Sequence, residues 1–200
     1  QAQAMAASGR RSEAIDYLNA RVKTYYAASI RARIQKNINL LSLEGKPAPA
    51  LDVSHYLGPK PSALAALRGK PVLLFFWAHW CSDCRAEGPL LARIKAEYGG
   101  RIAMLGPTQH YGYIGNGDEV SPDVELKYID RVRHEFYPGL LDVPVPVSEE
   151  NFIRYGSSTT PTLVLIDQRG IVKLYHPGNL SYQELRAAID ALLGGATKKG

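Results

Sequence analysis

Val72-Leu73-Leu74-Phe75-Phe76-Trp77-Ala78-His79-Trp80-Cys81-Ser82-Asp83-Cys84-Arg85-Ala86-Glu87-Gly88-Pro89 joins an apolar run to two cysteines separated by two residues. The run Val72 to Trp77 is apolar on both faces, as a central strand covered by helices on each side must be. A helix then starts at the cysteines, runs past Pro89 to about Tyr98 and closes at Gly99-Gly100. Cys81 therefore sits where unpaired backbone N–H groups and the helix dipole favour negative charge. That lowers its pKa and supplies thiolate, the form that attacks a disulfide. Cys84, one turn on, is close enough to resolve a mixed disulfide and is expected to be the more buried partner.

These are the only two cysteines, and the loop they close is too short to restrict the unfolded chain much. The pair is thus redox-active or half of a metal site. A zinc site wants two further ligands, and no second Cys pair or spaced His pair exists, so no metal is expected.

Downstream, Ile102 to Leu105 reads as the next strand, and Gly106 to Pro122 is a long segment rich in Gly, Tyr and His. Loops of that length are uncommon unless functional or disordered. His110, Tyr111 and Tyr113 form either a lip that selects a partner or a variable surface insertion. Val124 to Phe136 has helical spacing, Pro144 to Val147 is extended, and Glu149 to Tyr155 is a short helix ending at Gly156. Thr162 to Ile166 is a second buried strand, and Asp167 to Gly170 turns it into Ile171 to Tyr175. The last helix opens with a capping box, Ser181 and Glu184, and ends at Gly194-Gly195.

Upstream, Ser12 to Leu43 repeats apolar residues at three- and four-residue steps, which predicts one amphipathic helix with Ser12 as N-cap. Gly9 to Ile15 faintly resembles one turn of a tetratricopeptide repeat, but a single copy has no stacked neighbour. Lys46 to Ala50, with two prolines, reads as an extended linker. The expected organisation is a helical extension over 1–45, an α/β domain with a mixed sheet over 46–195 and a flexible tail over 196–200. Of 200 residues, 46% are hydrophobic and 22% charged, enough to bury a real core. No apolar run approaches the length of a membrane helix. With a formal charge of +5 and basic residues spread along the chain, nucleic acid is not an expected partner. The chain starts at Gln1 without a methionine, which suggests a processed or trimmed form, and no signal peptide is present from which to read a compartment.

The segment Gly69 to Pro89 resembles the active-site segment of the TlpA/ResA-like branch of the thioredoxin superfamily, G-K-x-x-x-x-x-F-W-A-x-W-C-x-x-C-R-x-E-x-P. A second match, Thr159-Thr160-Pro161-Thr162 before an apolar strand, is similar to that branch's T-P-T segment. The resemblance covers roughly Pro47 to Leu193. It implies a thioredoxin-like three-layer fold with Cys81 as attacking nucleophile and Cys84 as resolving thiol. Pro161 is then cis, placing the Thr160 backbone beside the dithiol, where it pairs with a substrate strand. Trp80 shapes the substrate-facing surface, whereas Trp77 belongs to the core.

The resemblance also singles out Glu87. Thioredoxin itself keeps a buried Asp six residues before the first cysteine, where this chain has Phe75. On a helix, Glu87 shares a face with Cys84, so its carboxylate can take the proton that Cys84 must lose; the alternative is a solvated Glu paired with Arg85 or Arg93. His79 could favour the thiolate when protonated, but it reads by default as a surface histidine in a turn. Asp83 stands where the family often has Pro. A carboxylate there opposes the helix dipole at Cys81, raises its thiol pKa and makes the couple more reducing.

The implied function is a protein thiol–disulfide oxidoreductase, acting as a reductant outside the cytoplasm, on protein disulfides or dithiols and recharged by an electron donor. It needs no cofactor beyond its Cys81–Cys84 disulfide. Two other readings stand beside it. A peroxiredoxin-like thiol peroxidase wants Thr three residues before the cysteine, and that position is Ala78. A redox-silent binding module would leave the dithiol incidental.

Overall fold

In a computed structural model, which describes residues 1–25, 28–115 and 117–194, the run Val72–Phe76 is strand β2, buried along its whole length. Its number reflects one short strand before it, β1 (Tyr56–Leu57). The chain continues through helix α4 (Ser82–Tyr98), β3 (Ala103–Leu105), the β4–β5 hairpin (Tyr113–Ile114 and Asp118–Glu119) and helix α5 (Pro122–Phe136). Then come β6 (Val145–Pro146), helix α6 (Glu149–Tyr155), β7 (Thr162–Ile166), β8 (Val172–Pro177) and helix α7 (Tyr182–Gly194). The expected tail 196–200, with Gly195, lies outside the described residues.

The main sheet has the order β3-β2-β7-β8. β2 runs parallel to β3 and antiparallel to β7, and β8 is antiparallel to β7, so the sheet is mixed, as expected. Alternation along the strands separates two cores. Leu73, Phe75, Leu163 and Leu165 face α4, α5 and α7 through Leu91, Ile94, Ile129, Leu185 and Ile189. Val72, Leu74, Phe76, Val164 and Ile166 face α6 through Phe152 and Tyr155. Each such fully buried side chain contributes roughly 1.5–3 kcal/mol relative to exposure, so sheet and helices hold one another in the three layers implied by the sequence.

The register places Phe76 opposite Thr162. The end of β2 that leads to the cysteines and the start of β7 that follows Pro161 therefore lie side by side, although about eighty residues separate them.

The N-terminal segment differs from expectation. Instead of one helix from Ser12 to Leu43 there are three: α1 (Ala2–Ala7), α2 (Arg11–Thr24) and α3 (Ala28–Ser42). Gly9, at φ +83°, turns the chain between α1 and α2, and the backbone is extended at Tyr25 (φ −106°, ψ 120°) where α2 ends. Arg11 Nε donates to the Leu41 carbonyl at 2.7 Å, so α2 returns antiparallel along α3. Ser12 lies inside the first turn of α2, whose N-cap is Arg10 without a side-chain cap. A three- and four-residue apolar spacing is common to one long helix and two folded-back ones, since each buries a stripe. Here the stripes meet in a small core of Ala2, Ala14, Leu18 and Ile38.

α3 is seated on α6. The left-handed C-cap of α6, Gly156 (φ +60°), lies so close that a Cβ there would stand 2.2 Å from the Lys36 backbone nitrogen. Lys36 Nζ also donates to Thr159 Oγ1 at 3.0 Å. The linker after α3 is pinned by Asn151, fully buried in α6. Its Oδ1 accepts from Asp52 N (2.7 Å) and its Nδ2 donates to the Asp52 carbonyl (2.8 Å).

Candidate active site

Cys81 is the N-cap of α4, with its Sγ accepting from Cys84 N at 3.0 Å. The two cysteines form a disulfide with Cα atoms 5.3 Å apart. Cys84 is fully buried and Cys81 4% exposed, so only the first cysteine touches the surface, the asymmetry expected of attacker and resolver. The helix start that holds them follows directly from β2, whose burial fixes where α4 begins.

The Thr160–Pro161 peptide is cis, and the Thr160 carbonyl oxygen lies 3.4 Å from Cys81 Sγ. A reduced Cys81 would donate a hydrogen bond along that line. Trp80 is 47% exposed beside Cys81 and meets Tyr111 edge-on, with ring centroids 5.5 Å apart. Trp77 is buried, its Nε1 donating to the Gly106 carbonyl at 2.9 Å. The structure thus brings together Trp80, Cys81, Cys84, Thr160 and Pro161.

Glu87 is buried on α4, one turn beyond Cys84. Its partners are neither Arg85 nor Arg93: Asn179 Nδ2 donates to it at 2.9 Å and Leu180 N at 3.3 Å. Arg85 lies over the Phe136 ring and Arg93 over Tyr182. Burial pushes the Glu87 carboxyl up from its ordinary range, opposed by those two hydrogen bonds and by the charge of His176. Asn179 Nδ2 also reaches the Asp83 carbonyl (3.1 Å), tying the α7 approach to the first turn of α4.

His79 corrects the sequence reading. It is not a surface residue but 1% exposed, enclosed edge-on by the rings of Tyr111, Tyr113 and Tyr128 at 5.3–5.6 Å. Its Nε2 lies 3.3 Å from Glu125 Oε1, and its carbonyl accepts from Arg85 at 2.8 Å. Desolvation lowers its pKa, with the Glu125 charge opposing.

Glu125, equally buried in the first turn of α5, accepts from Tyr111 N (2.6 Å) and Gly112 N (3.0 Å) and meets His110 Nδ1 at 3.2 Å. One carboxylate therefore pins the 109–112 loop to the turn that carries the cysteines. Sequence reasoning missed Glu125 and Asn179, because neither stands in a motif and each reaches its partner only through the fold. The burial of His79 had one available signal, the Tyr-rich loop downstream.

With this geometry the comparisons are decisive. A family model described as a thioredoxin-like domain matches residues 62–193. The chain belongs to the thioredoxin-like family. Among curated thioredoxin-like relatives, the thioredoxin-like protein YneN of Bacillus subtilis is 26% identical over 74% of this chain and 79% of its own length. The thiol:disulfide interchange protein DsbE of Yersinia pestis is 30% identical over 78% of this chain and 77% of its own. A solved thioredoxin-like structure, the exposed lipoprotein thioredoxin of Streptococcus pneumoniae, is 27% identical with a TM-score of 0.53. That match covers 69% of this chain and 98% of the other. The resemblance read from the Cys81–Cys84 and Thr160–Pro161 segments agrees with these findings, and α1–α3 precede the matched region.

Among the described residues no group of His, Cys, Asp and Glu is arranged to hold a metal ion. No helix among them is long and apolar enough to cross a membrane.

Proposed function

We propose that this thioredoxin-like protein is a protein thiol–disulfide oxidoreductase of the TlpA/ResA-like kind, working as a reductant outside the cytoplasm. The observation that carries the reading is the surface edge of Cys81 at the start of α4, 3.4 Å from the Thr160 carbonyl and beside exposed Trp80. A partner strand laid across Thr160 presents its disulfide to Cys81.

In the reduced protein the Cys81 thiolate, favoured by the helix N-terminus, attacks one partner sulfur and expels the other as thiolate. Cys84 then loses its proton and attacks Cys81 Sγ, releasing the second partner thiol and closing the Cys81–Cys84 disulfide. Two electrons pass to the partner, and a separate dithiol donor returns them. Glu87, buried on the same face and raised in pKa, is the nearby carboxylate suited to take the Cys84 proton. In the oxidised form it contacts Asn179 and Leu180 instead. No cofactor is needed beyond the cysteines. The extracytoplasmic placement leans on relatives such as the exposed lipoprotein thioredoxin.

The test is acceleration of insulin reduction by dithiothreitol. Wild type should accelerate it, and Cys81→Ser should abolish the acceleration. Cys84→Ser should accumulate a mixed disulfide with the partner, visible on a non-reducing gel. No acceleration by wild type would favour the binding-module reading instead.

A further inference from the structure

The extension is expected to be a bystander if the dithiol domain acts alone, yet α3 builds one side of the groove that opens beside the dithiol. A groove of about 340 Å³ is lined by Ala32 and Arg33 of α3 together with Trp80, His110, Tyr111 and Thr160. A second groove, also lined by Arg33, continues past Lys36 and Thr159 to Pro177. Arg33 is therefore shared by both, flanking the Thr159–Thr160–Pro161 turn on which a partner strand would lie.

The charge of this wall is one-sided. Residues 1–45 hold seven Lys and Arg against three Asp and Glu, a net +4 of the chain's +5. The basic residues themselves are spread along the chain, but α3 carries Arg31, Arg33 and Lys36 with no acidic residue. Arg33 is exposed, and among the described residues neither it nor Lys36 has a carboxylate at ion-pair distance. The second groove contains no acidic residue in its lining. The first has one, Glu149 at the start of α6.

A further feature concerns how this wall is held. The wall itself is held by the Gly156 contact with the α3 backbone and by Lys36 on Thr159, so the backbone that carries Arg33 is fixed against the Thr159–Pro161 turn.

We propose that Arg33, supported by Lys36, is a specificity-determining residue of the extension, selecting partner proteins whose cystine is flanked by acidic side chains. The proposal rests on the oxidoreductase reading for its chemistry. The partner segment lies extended across Trp80 and Thr160 with its carboxylate turned toward α3.

The experiment compares two cystine peptides that differ only in carrying two Asp or two Lys beside the cystine. Wild type should reduce the acidic peptide with a kcat/KM about threefold to fivefold above the basic one, the range expected of an exposed ion pair. Arg33→Gln should bring the ratio to about one and Arg33→Glu should invert it, and 0.5 M salt should erase the wild-type preference. A ratio unchanged in Arg33→Glu overturns the proposal. Failure of wild type to reduce either peptide would count against the oxidoreductase reading alone. The surface is then judged by titrating Cys→Ala versions of both peptides against Trp80 fluorescence, where the same preference is expected and equal binding overturns it.

Discussion

Two buried carboxylates flank the dithiol, and they are held in different ways. Behind Cys84, Glu87 has two neutral donors, Asn179 and the Leu180 amide. In front of Cys81, Glu125 has two backbone amides and two histidine rings. Burial penalises an ionised carboxylate unless enough donors face it. Glu87 is under-compensated, and its pKa is raised accordingly. Glu125 is surrounded by donors from the loop it secures. The lesson is that two buried acids beside one dithiol have different partners and different work. Glu87, with its raised pKa, can trade its proton, whereas the hydrogen bonds of Glu125 hold a loop in place.

The largest expected break in that comparison comes from Glu125→Ala. It leaves the Tyr111 and Gly112 amides without their acceptor, which should cost roughly 3 kcal/mol in urea denaturation. The same substitution should release the 109–112 loop, giving faster amide exchange at Tyr111 and Gly112. A loss below about 1 kcal/mol would mean that the clamp is unimportant.

Glu87→Gln should act on rate instead. Resolution of the mixed disulfide in single-turnover mixing should slow by about tenfold or more, with the initial attack by Cys81 unchanged. Equal rates for both steps would reduce Glu87 to a packing residue.

The two sides should also tilt stability in opposite directions with pH. A carboxyl whose folded pKa is raised favours the folded state while protonated. Its contribution is lost as pH rises from the unfolded value of 4.5 through the folded one. Glu87→Gln should therefore raise Tm at pH 7 relative to wild type and leave it unchanged at pH 4. His79 has a lowered pKa, so its contribution is present above 6.5 and lost as pH falls through the folded value. His79→Asn should flatten that acid limb.

The smallest effect belongs to Asp83, an acid left in solvent. Asp83→Asn should move the redox potential upward by about 20 mV, equivalent to about 1 kcal/mol for a two-electron couple, measured against glutathione. A shift downward would reverse the assigned sign.

What the sequence made legible follows the range of the interactions. The Cys81 helix start, the hairpin at Asp167 to Gly170 and the Ser181–Glu184 capping box are local patterns, and the structure contains each. The Thr160–Pro161 match lay far off in sequence, but a known pairing of motifs linked it to Cys81. His79 was misread because a turn residue is ordinarily wet, and only α5 and the tyrosine-bearing segment, arriving later in the chain, dry it. Asn179 contacts Glu87 across 92 residues with no periodicity to announce it. The helical break near Tyr25 left the apolar spacing intact, so periodicity alone had nothing with which to detect it.

Asn151 carries a consequence of another kind. Its side-chain amide acts as one rung of a ladder for Asp52, accepting on one atom and donating on the other. Replacing that NH2 by oxygen changes hardly any volume yet sets an acceptor against the Asp52 carbonyl and buries a charge. Hydrolysis of an asparagine makes that same exchange without any mutation. The join between linker and α6 therefore has a chemical lifetime, protected for as long as α6 stays closed over Asn151 and ageing whenever it opens.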